Sequence, residues 1–233
     1  MKRARAVLAM CSTAAALLAA PDAHAYASAW PDTFVARLEA LALLQTLNAD
    51  LLSHDSATQT LGHWCADHRL AADPTIIAQR LHPAAPAPSE QLRRELRVGP
   101  DEKLRFRHVR LLCGRVVLSE ATNWYVPGRL TAAMNAQLAS SDVPFGTVVR
   151  ALNFQRHTLA ARLLWQPLAP GWEQDSAEAP QVSAHSGELV VPAAVLEHRA
   201  LLTLPDGTPI SEVVETYSGN VLAFPLPRST LGR

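Results

Sequence analysis

The stretch RFRHVRLLCGRVVLSEATNWYV, residues 105–126, decides the fold of this chain. Aliphatic, aromatic and β-branched residues recur along it, and a glycine at position 114 divides it into two runs of similar length. This pattern predicts a β-hairpin whose strands are residues 105–113 and 116–126. Pro127 ends the second strand, because proline has no N–H to donate to a neighbouring strand.

The chain ahead of this hairpin is predicted to be mainly helical. Asp32 can cap a helix that runs to about Leu52, since apolar residues recur in it at near-helical spacing. Asp55 or Ser56 can cap a second helix. Three shorter features follow: a strand at residues 75–77, a Pro/Ala loop at 82–88, and a charged helix at 91–96 capped by Ser89.

The chain after the hairpin is predicted to be mainly extended. A short helix at 130–138 precedes a strand at 154–165, and a second hairpin is predicted at 195–217, around Asp206-Gly207. Residues 167–187 are rich in Pro, Ser, Glu and Gly and are predicted to form a long, mobile loop, while residues 221–224 can add an edge strand. Helices followed by antiparallel strands indicate the α+β class, with a single antiparallel sheet and helices packed on it.

The first 25 residues have the pattern of a cleavable secretory signal. Basic residues at positions 2, 3 and 5 precede an uncharged stretch, residues 6–20, and Ala23-His24-Ala25 is a small-x-small cleavage triplet. The alternative is a buried N-terminal helix. We favour the signal, because a signal requires these three features in this order and a buried helix does not. We expect cleavage after Ala25, a mature single domain of residues 26–233, and a periplasmic or secreted location.

Composition limits the partners of the mature chain. Lys and Arg number 21 and Asp and Glu also number 21, and no basic block runs along the sequence, so nucleic acid is not an expected partner. After removal of the signal we expect no membrane-spanning segment and a monomer. Cys65 and Cys113 can pair in an oxidising compartment, but the geometry is not readable from the sequence, and we favour two buried free thiols.

Several kinds of catalytic or metal site are not expected. The sequence has no Gly-rich phosphate loop and no G-x-S-x-G nucleophile motif. His63, Cys65 and His68 are spaced so that the three do not share one face of a helix, and no metal site is predicted there.

An ordered set of short motifs extends over residues 48–224. Its members are LLSHDSAT at 51–58, RHVRLLC at 107–113, YVP at 125–127, VPFG at 143–146, FQR at 154–156, DGTP at 206–209 and ETY at 215–217. In this order and spacing the set resembles chorismate pyruvate-lyase. More loosely, it resembles the wider superfamily that also contains the ligand-binding domains of certain transcription regulators.

The resemblance implies a fold, a ligand and a reaction. A small aromatic acid would be enclosed between the sheet and helical flaps, and no metal or organic cofactor would be used. In the lyase, chorismate loses pyruvate and becomes 4-hydroxybenzoate. An arginine on the first strand of the hairpin would hold a carboxylate, which suits the planar fork of a guanidinium. A glutamate on the last hairpin would transfer the proton.

The position of the arginine is open between three residues. An alignment without gaps places it at His108, a shift of one residue places it at Arg107, and Arg110 is the third candidate. Strand alternation places Arg110 on the face of His108. We favour Arg107 as the catalytic cation, because Val109 and Leu111 would then share its inward face, and we keep His108 and Arg110 as candidate substrate-binding residues.

The acid and the pocket lining follow from the other motifs. Glu215 matches the lyase pattern best, and Glu212, the alternative, lies on the opposite face of a regular strand. Ala57 replaces a larger apolar residue of the lyase and would widen the pocket. Phe145 and Gly146 are predicted to line it.

Two functions, and a weaker third, agree with these features. The first is a chorismate-lyase-like enzyme, and the second is an exported, non-catalytic binding protein for a small aromatic carboxylic acid. An arginine and a glutamate that face one cavity would favour the enzyme, whereas an arginine without a facing carboxyl group would favour the binding protein. A cavity filled by aromatic side chains would favour a structural protein with a vestigial pocket. The motif set makes the chorismate-lyase-like elimination our first expectation. Export is the main objection to it, because chorismate is a cytoplasmic metabolite.

Overall fold

The computed structural model describes residues 26–174 and 187–226, which form helices and antiparallel strands. The strands are β1 (Tyr26–Pro31), β2 (Ile76–Leu81), β3 (Arg105–Cys113), β4 (Val116–Tyr125), β5 (Gln155–Leu163), β6 (Glu188–Val191), β7 (Ala194–Thr203) and β8 (Pro209–Ser218). The helices are α1 (Phe34–Ser53), α2 (Ala57–Asp67), α3 (Glu90–Glu95), α4 (Ala132–Ser140) and α5 (Phe145–Val148), with 3₁₀ turns at Pro127–Arg129, Arg150–Leu152 and Gly219–Leu222.

Six of the strands form one antiparallel sheet in the order β2-β3-β4-β8-β7-β5. The predicted hairpins are β3–β4, with Gly114 in the left-handed conformation at its turn, and β7–β8. The remaining strands, β1 and β6, form a separate two-stranded antiparallel ribbon. The α+β class predicted from the sequence is confirmed, and the ribbon is an addition to the predicted sheet.

The helices begin where the local sequence can cap them. The side chains of Thr33, Ser56, Ser89 and Thr131 each accept a backbone N–H from the first turn of α1, α2, α3 and α4. At α1 the cap is therefore Thr33 and not the predicted Asp32, whose carboxylate accepts from the Arg37 guanidinium instead.

Two layers of helix cover unequal parts of the sheet. α1 and α2 pack on one face, which we call the inner face, through a core that includes Leu44, Leu47 and Leu61. α4 and α5 cover the same face at the end where Tyr125 lies. α3 packs on the opposite, outer face at that end. Helices therefore cover most of the inner face. A pocket remains between this face and the first residues of α2 and α5.

Two local expectations are wrong. Cys65 and Cys113 do not remain free thiols but form a disulfide, with their Cα atoms 6.4 Å apart, which joins α2 to the end of β3. Residues 221–224 do not add an edge strand, because Gly219–Leu222 forms a 3₁₀ turn that buries Val221 and Leu222 in the core. Residues 1–25, the predicted signal, and residues 175–186, most of the predicted loop, lie outside the described residues.

Candidate functional site

A pocket lies on the inner face of the sheet, between strands β3, β4, β7 and β8 and the first residues of α2 and α5. Strand alternation brings its side chains together: Arg107 is opposite Asn123 on β4, and both project to the same face as Val213 and Glu215 on β8. Five of the predicted site residues line this pocket, namely Ala57, Arg107, Phe145, Gly146 and Glu215.

Arg107 is the cation of the pocket that has no acidic partner. It is only 7% exposed, and its Nη2 donates to the carbonyl oxygens of Ser141 and Val143, at 3.2 and 2.9 Å. Among the described residues no carboxylate lies within ion-pair distance, and the buried Nε has no acceptor. Burial and the positive charge of Arg80 lower the pKa of Arg107. A buried guanidinium with unused donors is suited to hold an anion.

Two kinds of neutral donor line the same pocket as this guanidinium. The Oδ1 of Asn123 accepts from the Ser211 hydroxyl at 3.0 Å, so the amide N–H groups of Asn123 remain for a ligand in the pocket that Asn123 lines. At the start of α2, the N–H groups of Gln59 and Thr60 bond to Ser56, and those of Ala57 and Thr58 have no acceptor within the helix. A helix N-terminus adds positive potential, so both features favour a ligand with a negative charge.

Glu215 lies in the same pocket, but it is already bonded. Its Oε2 accepts from Arg156 Nη2 at 2.6 Å and from the Tyr217 hydroxyl at 3.2 Å. The side chains of Arg156 and Glu215 are 4% and 7% exposed, which makes this a buried ion pair. Burial lowers the pKa of Arg156, but the Glu215 carboxylate, together with Tyr217 and Asp55, more than offsets this effect, so the pKa is raised overall. Tyr217 is fully buried, and burial and Glu215 raise its pKa well above the usual value.

His198 extends this buried network towards α1. It is the register partner of Glu215 on β7, and its Nε2 lies 2.8 Å from Oδ1 of Asn48. Burial, with the neighbouring Arg156, lowers the pKa of His198 to about 4. The imidazole is therefore neutral near pH 7, and its Nε2–H donates to the Asn48 oxygen.

Three of the candidates lie away from the pocket. His108 and Arg110 project from the outer face of β3, where both bond to Glu120, at 2.7 and 3.0 Å. Glu212 also lies on the outer face, where it accepts from Arg199. The structure thus places Arg107 and Glu215 together and separates His108, Arg110 and Glu212 from them, as strand alternation requires.

Aromatic rings narrow the pocket. Its free volume is about 50 Å³, whereas a cavity of about 150 Å³ accommodates benzene. Phe145 and Phe154 both line it, and Phe154 also borders an outer depression of about 360 Å³ that shares Asp55, Ser56 and Gly146 with the pocket. An aromatic ligand therefore requires Phe154 to move, which would join the two spaces.

Sequence reasoning assigned no ligand-binding or catalytic role to the side chains of Arg156, Asn123 or Asp55, all of which line the pocket. Arg156 and Asp55 belong to motifs of the resemblance, and the Asp55 carboxylate accepts from the backbone N–H of Arg156 at 2.9 Å. The sequence did contain a pattern that could have identified Arg156. This residue lies two residues after Phe154 at the start of a predicted strand, so alternation places both side chains on the same face. That it reaches Glu215 depends on β5 lying next to β7, which the sequence does not reveal.

Other kinds of site find no support in the part of the chain that the structure describes. No group of three or more His, Cys, Asp or Glu side chains there is placed to hold a metal ion. No helix in residues 26–174 or 187–226 is long and apolar enough to cross a membrane.

Comparisons with known proteins give one family relationship and several likenesses of fold. Two solved structures illustrate the likeness of fold. PhnF from Mycobacterium smegmatis is 13% identical, with 77% of this chain and 71% of that chain covered and a TM-score of 0.46. The ligand-binding domain of a putative GntR-family transcriptional regulator from Bordetella bronchiseptica is 15% identical, with 61% and 82% covered and a TM-score of 0.36.

The sequence relationship is much stronger. No protein-family model matches the chain. The protein named "Uncharacterized protein y4mC" from Sinorhizobium fredii (strain NBRC 101917 / NGR234) is 54% identical over 199 residues, which cover 85% of this chain and 83% of that protein. The chain therefore belongs to the family of the Sinorhizobium fredii protein y4mC.

Proposed function

We propose that this protein binds a small aromatic carboxylate in the pocket on the inner face of its sheet. The observation that carries the proposal is Arg107, a buried residue, 7% exposed, whose guanidinium has no carboxylate partner among the described residues. Burying an uncompensated charge is costly, and a ligand carboxylate would supply the missing countercharge.

The surroundings of Arg107 support this choice of ligand. The Asn123 amide and the first N–H groups of α2 line the same pocket and add neutral donors for a carboxylate. The rest of the lining includes Phe145, Phe154 and Leu202, which suit an aromatic ring. Entry requires Phe154 to turn towards the outer depression beside Asn153, a movement of one side chain at the beginning of a strand.

A chorismate-lyase-like elimination is the second candidate. The observation in its favour is that Arg107 and Glu215 line one pocket, the arrangement expected of a cation and a proton-transfer group. Against it, the Glu215 carboxylate is held by Arg156 and Tyr217. A proton transfer would need this carboxyl group to leave the ion pair, so binding without turnover ranks first.

We also propose that binding occurs outside the cytoplasm. The signal-like pattern of residues 1–25 is one support, and the pairing of Cys65 with Cys113 is the second, because disulfides persist in oxidising compartments.

Binding is tested by titrating 4-hydroxybenzoate into the purified mature chain while its melting temperature is followed. A ligand that binds only the folded state raises the melting temperature, and at about 100 times Kd the stabilisation is about 2.7 kcal/mol. The variant Arg107→Gln should weaken binding about tenfold or more, because a charge-assisted contact is lost. Arg110→Gln removes the same charge from the outer face of the same strand and should bind like the wild type. No shift at saturating ligand, or equal binding by both variants, would overturn the proposal.

One further assay distinguishes the two candidate functions. The mature chain is incubated with chorismate, and pyruvate release is measured for the wild type and for Glu215→Gln. Release by the wild type that Glu215→Gln lacks would establish the elimination. Release at the background rate by both, together with retained binding of 4-hydroxybenzoate, would leave the binding function alone.

A further inference from the structure

A second cleft lies beside the pocket, at the corner of the sheet where β2 ends. Its free volume is about 490 Å³, and it lies between the end of β2, the first residues of β3 and the end of α4. β2 pairs with β3 only as far as Leu81 opposite His108, so the first residues of β3 border this open space. Arg107 lines both the cleft and the pocket and thus lies between them.

The cleft is strongly basic. Arg80, Arg105 and Arg107 line it with the imidazoles of His82 and His108, and none of its lining residues is acidic. The register explains why the arginines converge: Arg80 is opposite Val109, which projects to the same face as Arg107 and Arg105. Diagonal neighbours on adjacent strands are within reach of long side chains.

Contacts within the protein use only some of the N–H donors of these guanidinium groups. Arg80 donates through Nη1 to the carbonyl of Ala139, and Arg107 donates through Nη2 to Ser141 and Val143, so both arginines satisfy carbonyls at and beyond the end of α4. The buried Nε atoms of both have no acceptor among the described residues. Two carboxylates lie near the cleft: that of Asp142 is 3.5 Å from Arg80 Nε and 67% exposed, and that of Glu120 is 2.7 Å from Nε2 of His108 on the outer side.

We propose that this cleft binds a small organic anion, through a phosphate or carboxylate group that lies between Arg80 and Arg105 with Arg107 at its inner end. An oxyanion there would accept from the unused guanidinium N–H groups and would relieve the repulsion between the arginines. Apolar side chains of Leu81, Leu104 and Leu138 form the rest of the lining and suit the organic part of such a ligand. This site is distinct from the pocket of Glu215, because Arg80 and Arg105 do not line that pocket.

The test uses the full mature chain and two probes, inorganic phosphate and succinate, with sodium chloride at matched ionic strength as the control. Nitrogen-15 NMR follows the arginine Nε–H signals, which report directly on the groups in question. We expect phosphate, succinate or both to shift the signals of Arg80 and Arg105, and chloride to leave them in place. A shift with phosphate alone assigns the charged group as phosphate, and a shift with succinate alone assigns it as carboxylate.

Three variants locate the site. Arg80→Gln and Arg105→Gln should each weaken binding of the effective probe about tenfold, while Arg110→Gln, on the outer face, should leave it unchanged. Arg105 is exposed, so its variant keeps the proposal testable if Arg80→Gln does not fold. Binding of 4-hydroxybenzoate by Arg105→Gln should match the wild type, which separates this site from the pocket. Absence of any Nε–H shift, or equal probe binding by Arg105→Gln and Arg110→Gln, would overturn the proposal.

Discussion

Replacement of Glu215 by glutamine should lower the free energy of unfolding by about 3 kcal/mol, since removal of one partner from a buried ion pair typically costs 3–5 kcal/mol. Two unit charges about 4 Å apart attract by about 4 kcal/mol at the effective dielectric constant of about 20 that suits protein sites. Here the Arg156–Glu215 contact is 2.6 Å, and side-chain exposures of 4% and 7% leave little water to screen it. Glutamine keeps one acceptor for Arg156 but no charge, which places the loss at the lower end of that range.

Urea unfolding followed by far-ultraviolet circular dichroism measures this change, and a matched variant supplies the control. Glu120→Gln removes a carboxylate that bonds to Arg110 and His108 on the outer face, where the side chains of Glu120 and Arg110 are 40% and 45% exposed. Exposed pairs contribute about 1 kcal/mol or less. A second charge removal, Arg156→Gln in the Glu215→Gln background, should restore part of the stability, because no uncompensated buried charge then remains. If Glu215→Gln were no less stable than Glu120→Gln, the buried ion pair would not have the role assigned to it.

Two further predictions concern stability against pH and against reduction. Burial, with the neighbouring carboxyl of Glu95, raises the pKa of Glu212 from 4.5 to about 7, so the folded chain holds a proton that the unfolded chain has released. The contribution of Glu212 to the free energy of unfolding should therefore fall as pH rises from 4.5 to about 7, whereas that of His198, whose pKa is lowered from 6.5 to about 4, rises over an overlapping window. The difference between the two proteins isolates Glu212: urea titrations should show Glu212→Gln gaining stability relative to the wild type as pH rises from 4.5 to about 7, and a difference that stays constant would exclude this group as the cause. The disulfide between Cys65 and Cys113 closes a loop with a sequence separation of 48, and the chain-entropy relation gives it about 4 kcal/mol. Thermal unfolding with and without reductant should show a loss of that order, and an unchanged melting temperature after confirmed reduction would contradict it.

The resemblance and the alternation of β3 were enough to favour Arg107 over His108 and Arg110, because side chains on a strand alternate between two faces. The same rule separated Glu215 from Glu212. The structure places Arg107 and Glu215 in one pocket, whereas their roles in binding or catalysis stay predictions. Arg156 was missed, because its ion pair joins two residues 59 positions apart through a strand order that local pattern does not encode.

The sequence by itself determined most local elements: the cap at Ser89, the turn at Gly114 and the two hairpins all depend on neighbours in the chain. Only the tertiary structure decided which thiols and charged side chains lie in contact. The disulfide between Cys65 and Cys113, the ion pair that occupies Glu215 and the convergence of arginines at the end of β2 arise from contacts between distant segments. The physical reason is that propensity, capping and alternation act over a few residues, whereas burial and charge pairing depend on how separate elements pack.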